Sequence, residues 1–196
     1  MINCRDKDTS GSNPPVFNPL EINKFRMDKD VQLQRDPKSP ILEEERADFK
    51  GLKYYQPSPD FVVTAKIEKF SKMDTIKFRT SKEDITRFML KYARLVFKYK
   101  DSSYTLLAFI PMKNGKAIEP PELFVPFYDA TNGTETYSAG RYLDFDLTDK
   151  DYLTIDFNYA YNPYCAYTHK YSCARVPDEN YLPFKVEAGE KIFKAE

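Results

Sequence analysis

The chain has 196 residues with 30 basic and 30 acidic side chains, so its formal net charge is zero. A neutral chain lacks the basic excess of a general nucleic-acid binder or a polybasic membrane-surface protein, and we expect no nucleic-acid partner. Aromatic residues make up 15% of the sequence, with 15 Tyr, 15 Phe and no Trp, which is typical of a folded protein and excludes a disordered one. A domain of this length can bury a core without disulfide or metal staples.

The motifs that are missing exclude several kinds of chemistry. His169 is the single histidine, so a zinc site of several histidines is excluded and any Ser-His-Asp or Cys-His mechanism must use His169. The sequence contains no GxGxxG, P-loop, HExxH or EF-hand pattern, and it has only 6 glycines. We therefore expect no metal, no nucleotide and no other cofactor.

The first 16 residues are polar and rich in Ser, Asp, Lys and Pro, a composition that predicts a flexible tether. Cys4 lies alone in this tether and is followed by charged and small polar residues, as in mature bacterial lipoproteins, although no apolar signal segment precedes it. A lipid anchor at Cys4, and with it a place in the cell envelope, is slightly favoured over the ordinary N-terminus of a cytoplasmic protein. Both interpretations remain open.

Residues 17–50 are predicted to form a helical arm. Ser39 is expected to cap a second helix, with Pro40 at its first position, and Gly51 is expected to end it. The first helix carries an imperfect apolar stripe that consists of Leu20, Ile22, Phe25, Met27, Val31 and Leu33. We expect this stripe to cover a sheet, so that residues 17–196 form one β-rich domain.

From residue 60 onward the pattern predicts short strands separated by turn residues. The predicted strands are 61–67, 75–80, 88–100 (one long strand, or two broken by a bulge), 104–112, 123–128, 141–147, 152–158 and 182–187. Strands with this length and spacing are typical of antiparallel sheets that close or pack on themselves. We expect a mainly β fold, an antiparallel β-barrel or barrel-like sandwich with the N-terminal helical arm.

The segments 141–147 and 152–158 are predicted to pair as a hairpin. If Leu147 faces Leu153, one face of the hairpin is wholly apolar, whereas a shift by one residue mixes both faces. In the first register Asp144 lies directly opposite Asp156, and like charges there are destabilising. A nearby lysine on a solvated face would offset the repulsion, or the pair is a functional carboxylate site.

Arg141 falls on the apolar side of its predicted strand, so its guanidinium must be paired. It forms either a structural ion pair or a bidentate clamp for a carboxylate or phosphate ligand, with Asn158, Asn162 and the carbonyls near Ala160 as the expected acceptors. Residues 51–100 contain twelve basic and five acidic residues. This excess is either a solvated face or a wall that attracts an anionic ligand.

Cys165 and Cys173 lie at the two ends of a short loop that also contains His169. A disulfide across this loop would stabilise an oxidised protein by about 2–3 kcal/mol. A metal site of these three residues lacks a fourth ligand, and a reactive thiol is the third interpretation. A structural role, either as a disulfide or as reduced core thiols, is favoured over the other two.

Several motifs in the second half of the chain resemble one family. They are Phe127, Thr136-Tyr137, Gly140-Arg141-Tyr142-Leu143, Asp156-Phe157-Asn158, Ala160-Tyr161-Asn162-Pro163, Cys165-Ala166-Tyr167, Cys173, Glu179-Asn180 and Ala188-Gly189-Glu190, preceded by Ser39-Pro40-Ile41 and 46–52. The sequence is similar over residues 20–194 to the domain-of-unknown-function 1684 family, an uncharacterised bacterial family. Ala174 departs from the family's usual proline. The resemblance implies no activity, but family members often carry an export or lipoprotein signal.

These observations favour a small-molecule-binding protein, with a ligand that could be anionic. The expected pocket residues are Tyr137, Arg141, Asn158, Tyr161 and Asn162, beside the Cys165–Cys173 loop. The first alternative is a hydrolase-like enzyme that uses either Asp144 with Asp156 or Cys165 with His169. The second alternative is a structural or interaction module without a small ligand.

Overall fold

The structure is a computed structural model that describes residues 16–82 and 84–194. The predicted tether, except for Val16, and the predicted lipid anchor at Cys4 therefore lie outside the described residues. Within the described ranges, no helix combines the length and the apolar character that are needed to cross a bilayer.

The first helix, α1 (Pro19–Arg35), begins after Asn18, whose side chain accepts hydrogen bonds from the backbone N–H groups of the first turn. The predicted stripe is only partly correct, because Leu20, Met27 and Val31 remain exposed. The buried side chains are Ile22, Arg26 and Leu33. Their spacing of four and seven residues puts them on one narrow line of the helix, so α1 touches the domain along a seam and not a broad face.

The second helix is shorter than expected. It is α2 (Glu43–Arg46), and the prediction that Ser39 caps a longer helix is wrong. The Ser39 hydroxyl instead donates to the carbonyl of Leu33 at 2.5 Å and accepts from the N–H of Ile41 at 3.1 Å. Because both bonds close the turn after α1, Ser39 serves that turn and the following segment stays largely non-helical.

A nine-stranded sheet confirms the predicted mainly antiparallel β class. Its strands are β1 (Val62–Lys69), β2 (Thr75–Phe78), β3 (Arg87–Tyr99), β4 (Ser102–Lys113), β5 (Lys116–Ala117), β6 (Glu122–Asp129), β7 (Arg141–Asp146), β8 (Tyr152–Asp156) and β9 (Tyr181–Leu182). The main order is β7-β6-β4-β3-β1-β8, with β2 beside β3, β5 beside β4 and β9 parallel to β6. The sheet curls into a half-barrel. The anticipated bulge in the long strand β3 lies between Lys91 and Ala93, whereas the last strand is much shorter than predicted.

The predicted hairpin between β7 and β8 is wrong. Strand β7 pairs with β6 and β8 pairs with β1, so the two strands are the opposite ends of the sheet order. In these pairings Leu143 lies beside Val125, and Ile155 lies beside Val63. In both pairings apolar side chains of the two strands lie side by side on the same face of the sheet. Such cross-strand pairs stabilise the non-local pairings.

Both faces of the sheet are covered. The larger apolar cluster extends over β1, β3, β4, β6, β7 and β8, and includes Leu95, Leu123 and Leu143. The opposite face carries a smaller cluster with Phe109 and Phe124, which is covered in part by Ala174 and Val176. The candidate site lies on this second face, where the segment 161–176 and α1 cross the strands.

Candidate functional site

A groove of about 640 Å³ lies between α1, the second face of the sheet and the segment 161–174. Its volume falls within the range of small-molecule pockets in proteins. Six aromatic side chains line it: Phe25, Phe124, Tyr142, Tyr161, Tyr164 and Tyr171. Met89, Pro111 and Ala174 add further apolar surface. The groove therefore offers an aromatic, mainly apolar lining to a ligand.

One wall of the groove carries a tyrosine–carboxylate pair. Asp144 on β7 accepts a hydrogen bond from the Tyr161 hydroxyl. The surrounding protein desolvates this carboxyl and raises its pKa, although the side chain stays open to solvent at the groove mouth. Burial also raises the pKa of Tyr161, so the phenol stays protonated and remains a donor. Asp144 is therefore a hydrogen-bonding group that a ligand in the groove can reach.

A buried carboxylate fixes the helix that forms the other wall. Glu190 is almost fully buried and lies 2.5 Å from the Lys29 ammonium of α1. Its second oxygen accepts from the Tyr167 hydroxyl at 2.6 Å and from the backbone N–H of Asn162 at 2.9 Å. The Lys29 ammonium also lies 4.8 Å from the centre of the Tyr161 ring. Glu190 thus neutralises the lysine and holds α1 against the groove.

The two cysteines lie next to each other beside the groove. Both are free, half-buried thiols, and they line an adjoining cavity of about 320 Å³. The N–H of Cys165 donates to the Cys173 sulfur at 3.2 Å, and the Tyr137 hydroxyl donates to the Cys165 sulfur at 3.6 Å. Cys173 lines the groove as well, and the two cavities share Tyr142.

The thiols hydrogen-bond each other and have opposite acidities. The bond from the Cys173 thiol lowers the pKa of Cys165 to about 7, and the Tyr137 and Ser81 hydroxyls act in the same direction. The same contact raises the pKa of Cys173 well above its ordinary value, and burial adds to this effect. Deprotonation at neutral pH is therefore concentrated on Cys165.

Arg141 is fully buried, but the prediction of its acceptors in the 156–162 segment is wrong. Its guanidinium is 2.7 Å from the Asp129 carboxylate and also donates to the carbonyls of Val186, Ala188 and Glu190. Asp129 in turn accepts from the N–H and hydroxyl of Thr131. Arg141 does not line the groove. It is a structural post that ties the 186–190 segment to β6 and β7, and we do not retain it as a ligand clamp.

Both expected pocket asparagines lie in the interior as structural residues. Asn158 exchanges hydrogen bonds with the backbone of Ser58, and its amide also donates to Asp156 at 2.7 Å. The Asn162 amide donates to the carbonyl of Lys191 at 2.8 Å. Neither side chain lines the groove. Both asparagines lie in the same chain segment as Tyr161, which itself reaches the groove.

The predicted carboxylate pair and the predicted Cys-His pair are not assembled. Asp144 and Asp156 lie on strands at opposite ends of the sheet order, where their partners across the strands are Phe124 and Val62. His169 is exposed and, within the described ranges, has no hydrogen bond or ion pair. Among the described residues, no group of three or more His, Cys, Asp or Glu side chains could hold a metal ion.

The cationic excess of residues 51–100 does not gather in the groove. Lys77 and Arg79, together with Arg175 from the C-terminal region, line a separate pocket of about 480 Å³ around Thr80. Of the charged residues described in 51–100, Arg87 lines the groove, and its guanidinium already donates to the carbonyl of Ser172 at 2.8 Å. The groove therefore has no concentrated positive charge.

Sequence reasoning missed several groove residues. Lys29 and its buried partner Glu190, which does not itself line the groove, were not anticipated, because a lysine on a helix and a glutamate near the C-terminus carry no pattern that shows their contact. Tyr142 was placed on a polar face without a pocket role. One available signal was the density of tyrosines after residue 140, which includes Tyr164 and Tyr171. Another was the position of Glu190 in the last motif of the family resemblance.

The comparisons with known proteins agree with the resemblance. The family model described as "Protein of unknown function (DUF1684)" matches residues 47–191. The chain belongs to this family. The matched region begins later than the resemblance suggested, so α1, which forms one wall of the groove, lies outside the residues that the family model matches.

A solved structure supports the same relationship. The chain is similar to an uncharacterized protein of Haloarcula marismortui whose structure was determined in solution by NMR, with 38% sequence identity and a TM-score of 0.67. The match covers 88% of this chain and 92% of the other. The search of the curated proteins returned no match.

Proposed function

We propose that this DUF1684 protein binds a small, mainly apolar molecule with an aromatic portion in the groove between α1 and the sheet. The observation that carries the proposal is a 640 Å³ groove lined by six aromatic side chains. Aromatic walls of this kind bind flat apolar groups through both burial and ring stacking. The alternative of a structural module without a small ligand gives no reason for an open aromatic groove.

The polar groups favour a neutral ligand over the anionic one considered from the sequence. Lys29 is already neutralised by Glu190, and Arg87 is already hydrogen-bonded to the backbone. Asp28 and Asp144 also line the groove and would repel an anion. Asp144 is the group that would hydrogen-bond a hydroxyl or an amine on the ligand, which would orient it inside the apolar lining.

The hydrolase alternative receives less support from the same residues. Asp144 and Asp156 are on opposite ends of the sheet order, and His169 is exposed. A general acid and base must both reach one substrate, which these positions do not favour. We therefore propose binding in place of hydrolysis.

The proposal is tested with two fluorescent probes that share an aromatic body and differ in charge. N-phenyl-1-naphthylamine is neutral, and 8-anilinonaphthalene-1-sulfonate is anionic. We expect the neutral probe to bind one site per chain and to bind more tightly than the anionic one. A fluorescence titration to saturation measures the number of sites per chain and the dissociation constant of each probe. Absence of saturable binding of either probe would overturn the proposed function.

A matched pair of variants locates the binding site. Gln32 lines the groove, whereas Gln34 is exposed on the same helix and does not line it. Gln32→Trp should fill the mouth of the groove and weaken the neutral probe by at least about tenfold, or about 1.4 kcal/mol. Gln34→Trp introduces the same side chain and should leave the affinity unchanged. Equal affinity of the two variants would contradict binding in the groove.

A further inference from the structure

We propose that Cys165 and Cys173 form a redox-active dithiol that reduces low-molecular-weight disulfides, with Cys165 as the attacking thiolate and Cys173 as the resolving thiol. This activity is separate from ligand binding in the groove, although Cys173 lines both cavities. The geometry that supports it is the 3.2 Å hydrogen bond from the Cys165 N–H to the Cys173 sulfur and the way in which the backbone holds each cysteine.

Cys173 is held in place by a neighbouring loop. Its N–H donates to the Ser81 hydroxyl at 3.1 Å, and its carbonyl accepts from the N–H of Ser81 at 2.9 Å. Cys165 lies in the short 3-10 helix Tyr164–Ala166, where its own N–H donates to the Cys173 sulfur. Seven residues separate the two cysteines along the chain. The fold therefore positions both sulfurs before any reaction, so forming a bond between them orders little additional chain.

The surroundings assign different roles to the two thiols. Cys165 accepts hydrogen bonds from the Cys173 thiol and from the Tyr137 hydroxyl, and both favour its thiolate. The pKa of Cys165 is about 7, close to the value at which a thiol combines a useful thiolate fraction with good nucleophilicity. Cys173 is shifted in the opposite direction, so it remains protonated until its partner has reacted.

The reaction balances without a further reagent. The Cys165 thiolate attacks one sulfur of a disulfide RS–SR, which forms a mixed disulfide on Cys165 and releases RS⁻. With that negative charge gone, Cys173 loses its proton to solvent and attacks the Cys165 sulfur, which releases the second RS⁻. The protein dithiol loses two electrons and becomes the Cys165–Cys173 disulfide, and RS–SR gains them to become two thiols.

Access to the sulfurs is consistent with this chemistry. Both cysteines are half-buried, and the cavity that they line is about 320 Å³. Ser138, Pro163 and Arg175 complete part of its wall. The cavity shares Tyr142 and Cys173 with the larger groove, and its size favours a small disulfide as the oxidant.

The first experiment equilibrates the Cys4→Ser protein with mixtures of reduced and oxidised glutathione. Free thiols are then alkylated and counted by intact mass spectrometry. We expect a reversible transition from two free thiols to one intramolecular disulfide. Retention of both thiols at every glutathione ratio would overturn the proposal, as would oxidation that reduced glutathione does not reverse.

The second experiment separates the roles of the two cysteines by single substitution in the Cys4→Ser background. Cys173→Ser should accumulate a stable glutathione adduct on Cys165, because the resolving thiol is absent. Cys165→Ser should form an adduct on Cys173 severalfold more slowly, because burial still raises the pKa of Cys173 when the Cys165 thiolate is absent. Amide NMR spectra verify the fold, and Cys173→Ala and Cys165→Ala provide second variants if a serine disturbs it. Equal rates for both cysteines, or a faster Cys173, would overturn the assigned roles.

Discussion

Strand β7 carries two polar side chains that lie only three residues apart and differ in their surroundings: one is in the core and the other is in an open groove. Arg141 points into the core, where it is fully buried with Asp129 and three backbone carbonyls. Asp144, on the other face, accepts from Tyr161 at the edge of an open groove. An odd spacing along a strand places two side chains on opposite faces, so neighbouring residues serve different purposes.

The comparison shows that a deeply buried charge is not by itself a functional site. Arg141 and Asp129 are buried and are bonded to each other and to the backbone, which makes the pair part of the scaffold. Asp144, Tyr161 and the thiols each face a cavity, and burial or hydrogen bonding shifts their pKa values. Shifted pKa values in an accessible cavity are a better indication of function than burial alone.

The largest expected effect comes from breaking the scaffold cluster. Arg141→Met should lower the free energy of unfolding by about 3–5 kcal/mol, because the Asp129 carboxylate remains buried without its partner. Arg175→Met, at an exposed arginine, should change it by less than about 0.5 kcal/mol. Urea denaturation measures both values. A loss below about 1 kcal/mol for Arg141→Met would contradict the structural role assigned to it.

A smaller effect is expected at the glycine before this arginine. Gly140 has φ +91, and a Cβ there would lie 2.5 Å from a Val176 methyl and 2.8 Å from the Phe127 carbonyl oxygen. Gly140→Ala should therefore cost about 2–3 kcal/mol, because backbone strain and overpacking act together. Gly115 also has positive φ but no atom within 4 Å of its added Cβ, so Gly115→Ala should cost about 1 kcal/mol. Thermal denaturation measures the loss of stability in both variants. Equal losses at the two sites would refute the tight contact at Gly140.

The smallest effect concerns the groove carboxylate. Because burial raises the folded-state pKa of Asp144, the folded protein binds this proton more readily than the unfolded chain does. The free energy of unfolding therefore increases as the pH falls from the folded-state pKa toward the unfolded-state value of about 3.8. Asp144→Asn removes this dependence. The free energy of unfolding of the variant, relative to that of wild type, should therefore decrease on acidification. The decrease should be no more than about 0.5 kcal/mol, because the position is exposed. A pH series of melting curves measures it, and an opposite slope would contradict the raised pKa.

Much of the fold could be predicted because each strand carries its own signal. Runs of β-branched, aromatic or alternating apolar residues identified most of the strands between 61 and 158, and a bulge was one of the two interpretations of the segment that forms β3. The pairing of the strands was not predictable from these local patterns, because adjacent strands such as β7 and β8 can form an apolar hairpin face without being neighbours in the sheet. The correct partners are β6 and β1, and the latter begins at Val62, far away in sequence.

The groove could be predicted only in part. Tyr161 and the Cys165–Cys173 loop were identified because they lie in one dense segment of unusual composition. The opposite wall comes from α1, more than a hundred residues earlier, through residues such as Lys29. Its contact with Glu190 depends on tertiary packing, and no local pattern records such a contact. Arg141 was correctly predicted to be buried, but its acceptors came from a segment whose path the sequence did not reveal.

The most direct test of the account is to locate a bound probe relative to the two clusters on β7. Methyl-labelled Met and Ala residues provide reporters, because Met89 and Ala174 line the groove and Ala188 lies beside Arg141. Intermolecular nuclear Overhauser effects are measured from the ring protons of N-phenyl-1-naphthylamine to these methyl groups. The account predicts contacts to Met89 and Ala174 and none to Ala188. Contacts to Ala188, or to methyl groups outside the groove only, would contradict it.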